Sequence, residues 1–112
     1  MIKVIVVDDE RFVRMGIVGE TDWASLGCEV VGEAENGLDA LELVHKKNPD
    51  LMICDIRMPK MNGLEMLKKL REEKNPVQVI FLTAYSEFSY AREALKLYAF
   101  DYLLKPFEDG EL

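Results

Sequence analysis

Ile2-Lys3-Val4-Ile5-Val6-Val7, broken off at Asp8-Asp9-Glu10, is the stretch from which the fold is read. Every residue of the run except Lys3 is β-branched. A nearly continuous apolar run, in place of apolar–polar alternation, predicts a strand buried on both faces. The carboxylates that stop it stand where a helix N-terminus favours negative charge, and an amphipathic stretch follows them.

The same grammar repeats along the chain. Cys28 to Gly32 predicts a second strand, and Asn36-Gly37 leads into a helix whose Leu38, Leu41 and Val44 share a face. Pro49-Asp50 punctuates before a third strand, Leu51-Met52-Ile53-Cys54. Pro59 and Gly63 bracket a loop before a helix with Leu64, Leu67 and Leu70 on one side. Val77 to Leu82 predicts a fourth strand, closed by Thr83. Glu87 to Tyr98 places Phe88, Ala91, Leu95 and Tyr98 on one stripe, and Phe100 to Leu104 predicts a fifth strand stopped by Lys105-Pro106. Alternation of this kind predicts a doubly wound α/β domain with a five-stranded parallel sheet, because parallel neighbours need crossover connections. Residues 1–112 form one such domain, with no repeat or linker.

Charge and size narrow the function. The 112 residues carry 14 basic and 21 acidic side chains, a formal charge of −7, which is poorly suited to gripping nucleic acid. No nucleic acid is expected to bind this domain. Its longest initial apolar run is too short for a signal peptide or a membrane span, so no membrane association is expected and the cytoplasm is the expected location. Cys28 and Cys54 lack the spacing of a zinc site and read as reduced, structural thiols. His45, beside Lys46-Lys47, reads as part of a solvated helix face. Met61 and Met66 read as packing or loop cover.

Polar residues fall at the carboxyl ends of four predicted strands: Asp8-Asp9, Asp55, Thr83 and Lys105. In open α/β sheets the ligand crevice lies outside those ends. Each residue has an ordinary explanation: Asp8, Asp9 and Thr83 as helix caps, Asp55 as a turn residue, Lys105 reaching to solvent. Their joint placement at one end of one sheet is what points to chemistry. Three carboxylates in one crevice repel unless neutralised, and Lys105 offers only one positive charge. Mg2+, hard and oxygen-seeking, fits the remainder. A carboxylate beside a metal and an ammonium group can attack phosphorus while a hydroxyl donates to a phosphoryl oxygen.

Asp8-Asp9-Glu10, Asp55-Ile56-Arg57-Met58-Pro59 with Gly63, Thr83-Ala84 and Lys105-Pro106 resemble, in type and spacing, response-regulator receiver domains of two-component systems. The resemblance covers essentially the whole chain. It implies a flavodoxin-like receiver fold with strand order 2-1-3-4-5. It also implies Asp55 as phosphoacceptor, Asp9 as a direct Mg2+ ligand, Asp8 acting mainly through water, and the Arg57 backbone carbonyl completing the metal site. Thr83 and Lys105 would bind phosphoryl oxygens, and Tyr102 would turn inward when Thr83 shifts. A cis Lys105–Pro106 bond is implied as well. The partner would be a sensor histidine kinase. Such a domain is a switch, not an enzyme beyond its own Mg2+-dependent phosphorylation and dephosphorylation. Asp22-Trp23-Ala24-Ser25-Leu26-Gly27 with Val31-Gly32-Glu33-Ala34 resembles receivers joined to AraC-type DNA-binding output domains, which implies a transcription regulator as parent.

Two rivals share the fold class or the chemistry. A flavin-binding module would need a hydroxyl- and glycine-rich loop after the first strand, where Asp8-Asp9-Glu10 would repel the flavin phosphate. A haloacid-dehalogenase-like phosphatase would need a carboxylate two residues after the nucleophile, where Arg57 stands. A degenerate receiver that works without phosphorylation would lack one of the groups found here. Arg57 and Tyr85 occupy positions where receivers vary, and the phosphoryl lifetime is not legible. With residues 108–112 alone following the fifth strand, a fifth helix is expected to be truncated, since helices below about 12–15 residues are marginal in isolation. Ile5, Val7, Ile53 and Phe81 belong to strands needing cover. Part of one sheet face is therefore expected to be exposed and to favour self-association.

Overall fold

The computed structural model describes the backbone of residues 1–84 and 101–105, and side chains as far as residue 82. Strand β1 (Ile2–Val7) lies between β2 (Cys28–Ala34) and β3 (Leu51–Asp55), with β4 (Gln78–Ala84) beyond β3. All of these pairs are parallel, giving the order β2-β1-β3-β4. The backbone of β5 (Asp101–Lys105) runs parallel to the free side of β4, with Ile80 opposite Asp101 and Ala84 opposite Lys105. The helix expected over 87–98, the Lys105–Pro106 bond and the truncated fifth helix lie outside the described residues.

The β-branched run behaves as its composition predicts. Side chains alternate across a strand, so β1 feeds both faces of the sheet. Val4 and Val6 join Ile53 and Leu82 in a cluster covered by Ile17, Val13 and Val18 of α1 (Arg11–Glu20). Ile5 and Val7 join Met52, Cys54 and Phe81 on the other face. There α2 (Gly37–Lys47) supplies Ala40 and Val44, and α3 (Gly63–Glu72) supplies Met66, Leu67 and Leu70. Each large side chain so buried contributes about 1.5–3 kcal/mol relative to exposure. Both cysteines are free and buried.

Caps set the helix boundaries. Asn36 accepts a hydrogen bond from the Asp39 backbone N–H at 2.9 Å, and Asn48, at φ 47°, closes α2 in the left-handed region. Asn62 and Glu65 form a reciprocal capping box at the start of α3.

Several expectations are corrected. β3 runs through Asp55 and β4 from Gln78 through Thr83 to Ala84, past the expected ends at Cys54 and Leu82, and Ile5, Val7, Ile53 and Phe81, named as needing cover, are all buried. β2 does not end at Gly32 but continues through Ala34, because Glu33 and Ala34 pair with Val6 and Val7 after a register shift at Val4/Ile5. Leu38 does not share the buried face of α2; it is 48% exposed. The buried stripe runs through Gly37, Ala40 and Val44, and at about 100° per residue Leu38 is carried to its edge. The expected Leu64, Leu67 and Leu70 stripe is present, with Met66 added as a fully buried member.

Candidate functional site

The parallel register places the ends of β1 and β3 side by side. Val7 stands opposite Cys54, so Asp8 and Asp55 are the next residues out on neighbouring strands. Asp8 is fully buried and Asp55 is 6% exposed, whereas Asp9 and Glu10 are exposed. Asp8 is held from several sides: its N–H donates to the Ala34 carbonyl at 3.1 Å, and its Oδ1 accepts from the Glu10 N–H at 2.9 Å. Its own carbonyl accepts from Arg14 Nη1 at 2.6 Å.

One carboxylate oxygen from each of Asp8, Asp9, Glu10 and Asp55 lies within 4.8 Å of the others. Two buried carboxylates at such a separation repel by about 3 kcal/mol at an effective dielectric constant near 20, before any counter-charge is included. The donor set is oxygen alone, with no thiolate or imidazole. It therefore suits a hard divalent cation such as Mg2+ and not a soft metal.

The loop from β3 to α3 forms the second wall. The Gly63 N–H donates to the Ile56 carbonyl at 2.7 Å, the Met61 N–H to the Pro59 carbonyl at 2.7 Å, and Lys60 takes φ 67° to make the turn. Gly37 anchors the loop from outside, its N–H donating to the Met61 carbonyl at 2.8 Å. Gly63 admits no side chain: a Cβ there would stand 2.6 Å from the Asp55 carbonyl oxygen and 2.6 Å from Phe81 Cε1. The result is an open groove of about 360 Å³ lined by Asp9, Arg57, Met58 and Asn62.

Of the residues singled out from sequence, Asp8, Asp9 and Asp55 are brought together and Arg57 lines the groove beside them. Thr83 and Lys105 lie at the same end of the sheet by backbone register. Thr83 follows Leu82, the partner of Asp55, and Lys105 is opposite Ala84. Their side chains, and that of Tyr102, lie outside the described residues.

Three participants were not foreseen. Glu10 joins the carboxylate cluster, although only its adjacency to Asp9 in sequence hinted at it. Asn62 both caps α3 and lines the groove. Arg14 reaches back one helical turn to Asp8 and pairs through Nε with Glu33 Oε1 at 3.4 Å, so β2 does contribute to this corner. Elsewhere, His45 lies on an exposed helix face as expected and contacts Glu73 at 2.8 Å. Met61 packs against the core cluster as loop cover. Among the described residues no helix is long and apolar enough to cross a membrane.

Comparison with known proteins agrees with this geometry. The chain is 41% identical over its whole length to the uncharacterized transcriptional regulatory protein YesN of Bacillus subtilis, covering 30% of that protein. It is 44% identical to the transcriptional regulatory protein BtsR of Salmonella typhimurium, covering all of this chain and 45% of BtsR. The chain thus spans less than half the length of these relatives. Among solved structures, the REC domain of AraT, a response regulator from Geobacillus stearothermophilus, superposes with a TM-score of 0.88 at 45% identity. That match covers 95% of this chain and 82% of the other. The α/β sheet is therefore that of the flavodoxin-like receiver fold. Residues 4–112 match the response regulator receiver domain, and the chain belongs to that family.

Proposed function

We propose that this chain is a phosphorylation switch in which Asp55 accepts a phosphoryl group from a sensor histidine kinase. The observation that carries the reading is the convergence of Asp55 with Asp8 and Asp9 within 4.8 Å. An Asp55 carboxylate oxygen attacks phosphorus, the new O–P bond forming as the bond to the donor breaks and the departing group keeps its electron pair. Asp8, Asp9, Asp55 and the Arg57 backbone carbonyl would hold Mg2+. When bound, the ion offsets charge on the phosphoryl oxygens. Thr83 and Lys105 serve those oxygens by donating hydrogen bonds and positive charge. Arg57, two residues after Asp55, offers no general acid, which argues against multiple turnover of a free phosphomonoester.

The switch runs through Thr83 and Tyr102: drawn towards the phosphoryl group, the threonine vacates space that the ring fills, with a coupling of about 1–3 kcal/mol. In this reading β5 completes the order 2-1-3-4-5 and the Lys105–Pro106 bond is cis. The parent is a cytoplasmic transcription regulator with a DNA-binding output domain of AraC type, while this acidic domain binds no nucleic acid itself. Self-association belongs to the same reading, and α1 offers exposed Phe12 and Met15 for it.

NMR of the Tyr102 ring with and without a metal-bound phosphoryl mimic tests the switch, and identical spectra would overturn it. Phosphorylation itself is tested by incubating the protein with purified sensor kinase, ATP and Mg2+. The predicted result is one added phosphoryl group, absent in Asp55→Asn.

A further inference from the structure

We infer that Arg14 is a positioning residue for the metal site, fixing the β1–α1 corner so that Asp8 and Asp9 present their carboxylates in register. The inference rests on the Mg2+ reading above and adds a residue that lies outside the carboxylate set. Arg14 sits on α1 with only 16% of its side chain exposed. Its Nη1 donates at 2.6 Å to the carbonyl of Asp8, and its Nε, buried and without a hydrogen-bond partner among the described residues, faces Glu33 Oε1 at 3.4 Å. One planar cation thereby ties together the end of β1, the first half of α1 and the end of β2.

Asp8 is the hinge of this arrangement. Its N–H is held by Ala34 of β2 and its Oδ1 by the Glu10 N–H, and its carbonyl is the remaining backbone group. A charge-assisted bond to that carbonyl restrains the peptide joining Asp8 to Asp9, the step at which the chain leaves the sheet.

Charge and geometry make opposite predictions, which gives the test its force. A cation bonded to the backbone of Asp8 competes electrostatically with Mg2+, so its removal should tighten metal binding if charge were its whole effect. Loss of a group that orients ligands should weaken binding, by about tenfold, the lower end for such supporting contacts.

The experiment is calorimetric titration of Mg2+ into the wild-type protein, Arg14→Met and Arg14→Gln, below their unfolding transitions and at fixed ionic strength. About tenfold weaker binding in both variants is the expected result. A residue that merely braces the fold would lower the melting temperature and leave the Kd unchanged. Unchanged or tighter binding in Arg14→Met therefore overturns the inference, and should that variant fail to fold, Arg14→Gln decides by the same criterion. Wild-type protein that binds no Mg2+ overturns the metal assignment and this inference with it. Wild-type binding with unaltered variants overturns this inference alone.

Discussion

Replacing Gly63 with alanine adds one methyl group at the seam between the fold and the site. The new Cβ would meet the Asp55 carbonyl oxygen at 2.6 Å, Phe81 Cε1 at 2.6 Å and Ile56 Cα at 3.2 Å. Two of these are backbone atoms, and Phe81 is fully buried, so nothing nearby is free to swing away. Overpacking of this kind costs about 1–3 kcal/mol, and the loss of unfolded-chain entropy on replacing glycine returns about 0.4–1 kcal/mol. The net expectation is a destabilisation of about 1–2 kcal/mol, towards the upper end because two contacts close to 2.6 Å. Urea denaturation should then shift its midpoint by about 1 M, with the melting temperature falling by about 10 °C. Gly19→Ala is the internal control. It makes the same chemical change in α1 with nothing within 4 Å of the new Cβ, and should stabilise by up to about 1 kcal/mol. Because the clash falls on the Asp55 backbone, Gly63→Ala should also slow phosphorylation in the fraction that folds. If Gly63→Ala proves as stable as Gly19→Ala, the claim that the loop is packed directly onto the phosphoacceptor strand is wrong.

Mg2+ at about 100 times its Kd should stabilise the protein by roughly 2.7 kcal/mol by mass action. Asp9→Asn should abolish that gain, and a melting curve indifferent to Mg2+ would count against the site. Leu70→Ala, which truncates a fully buried α3 side chain, should cost about 2–5 kcal/mol in chemical denaturation, while leaving Mg2+ affinity intact in the folded protein. Asn62→Ala removes the capping box of α3; a loss of about 1 kcal/mol is expected, and no loss would show that the groove wall is held by packing alone.

Much of this was legible in the chain because periodicity and punctuation agree. Ile2–Val7 reads as a strand and is one, buried on both faces from Val4 to Val7, and the polar residues after β1 and β3 meet because parallel strands end together. What escaped reading depends on register and on helix rotation. The extension of β2 through Ala34 follows from its pairing with β1, which no local pattern announces. Leu38 fits the apolar spacing, yet the buried face of α2 runs through Gly37, which abuts Met61 of the β3–α3 loop, and through Ala40 and Val44 in the core. Arg14 and Glu33 are separated by the rest of α1, a turn and most of β2, so their meeting is a product of topology.

The most direct test of the central claim is mass spectrometry of the intact protein after incubation with a small-molecule phosphodonor. It should be run with and without Mg2+, on wild type and on Asp55→Asn. Asp55 is the buried last residue of β3 beside the Asp8–Asp9 carboxylates. One added phosphoryl mass is expected in wild type, dependent on Mg2+, and none in Asp55→Asn. Phosphorylation of Asp55→Asn at the wild-type rate would contradict it.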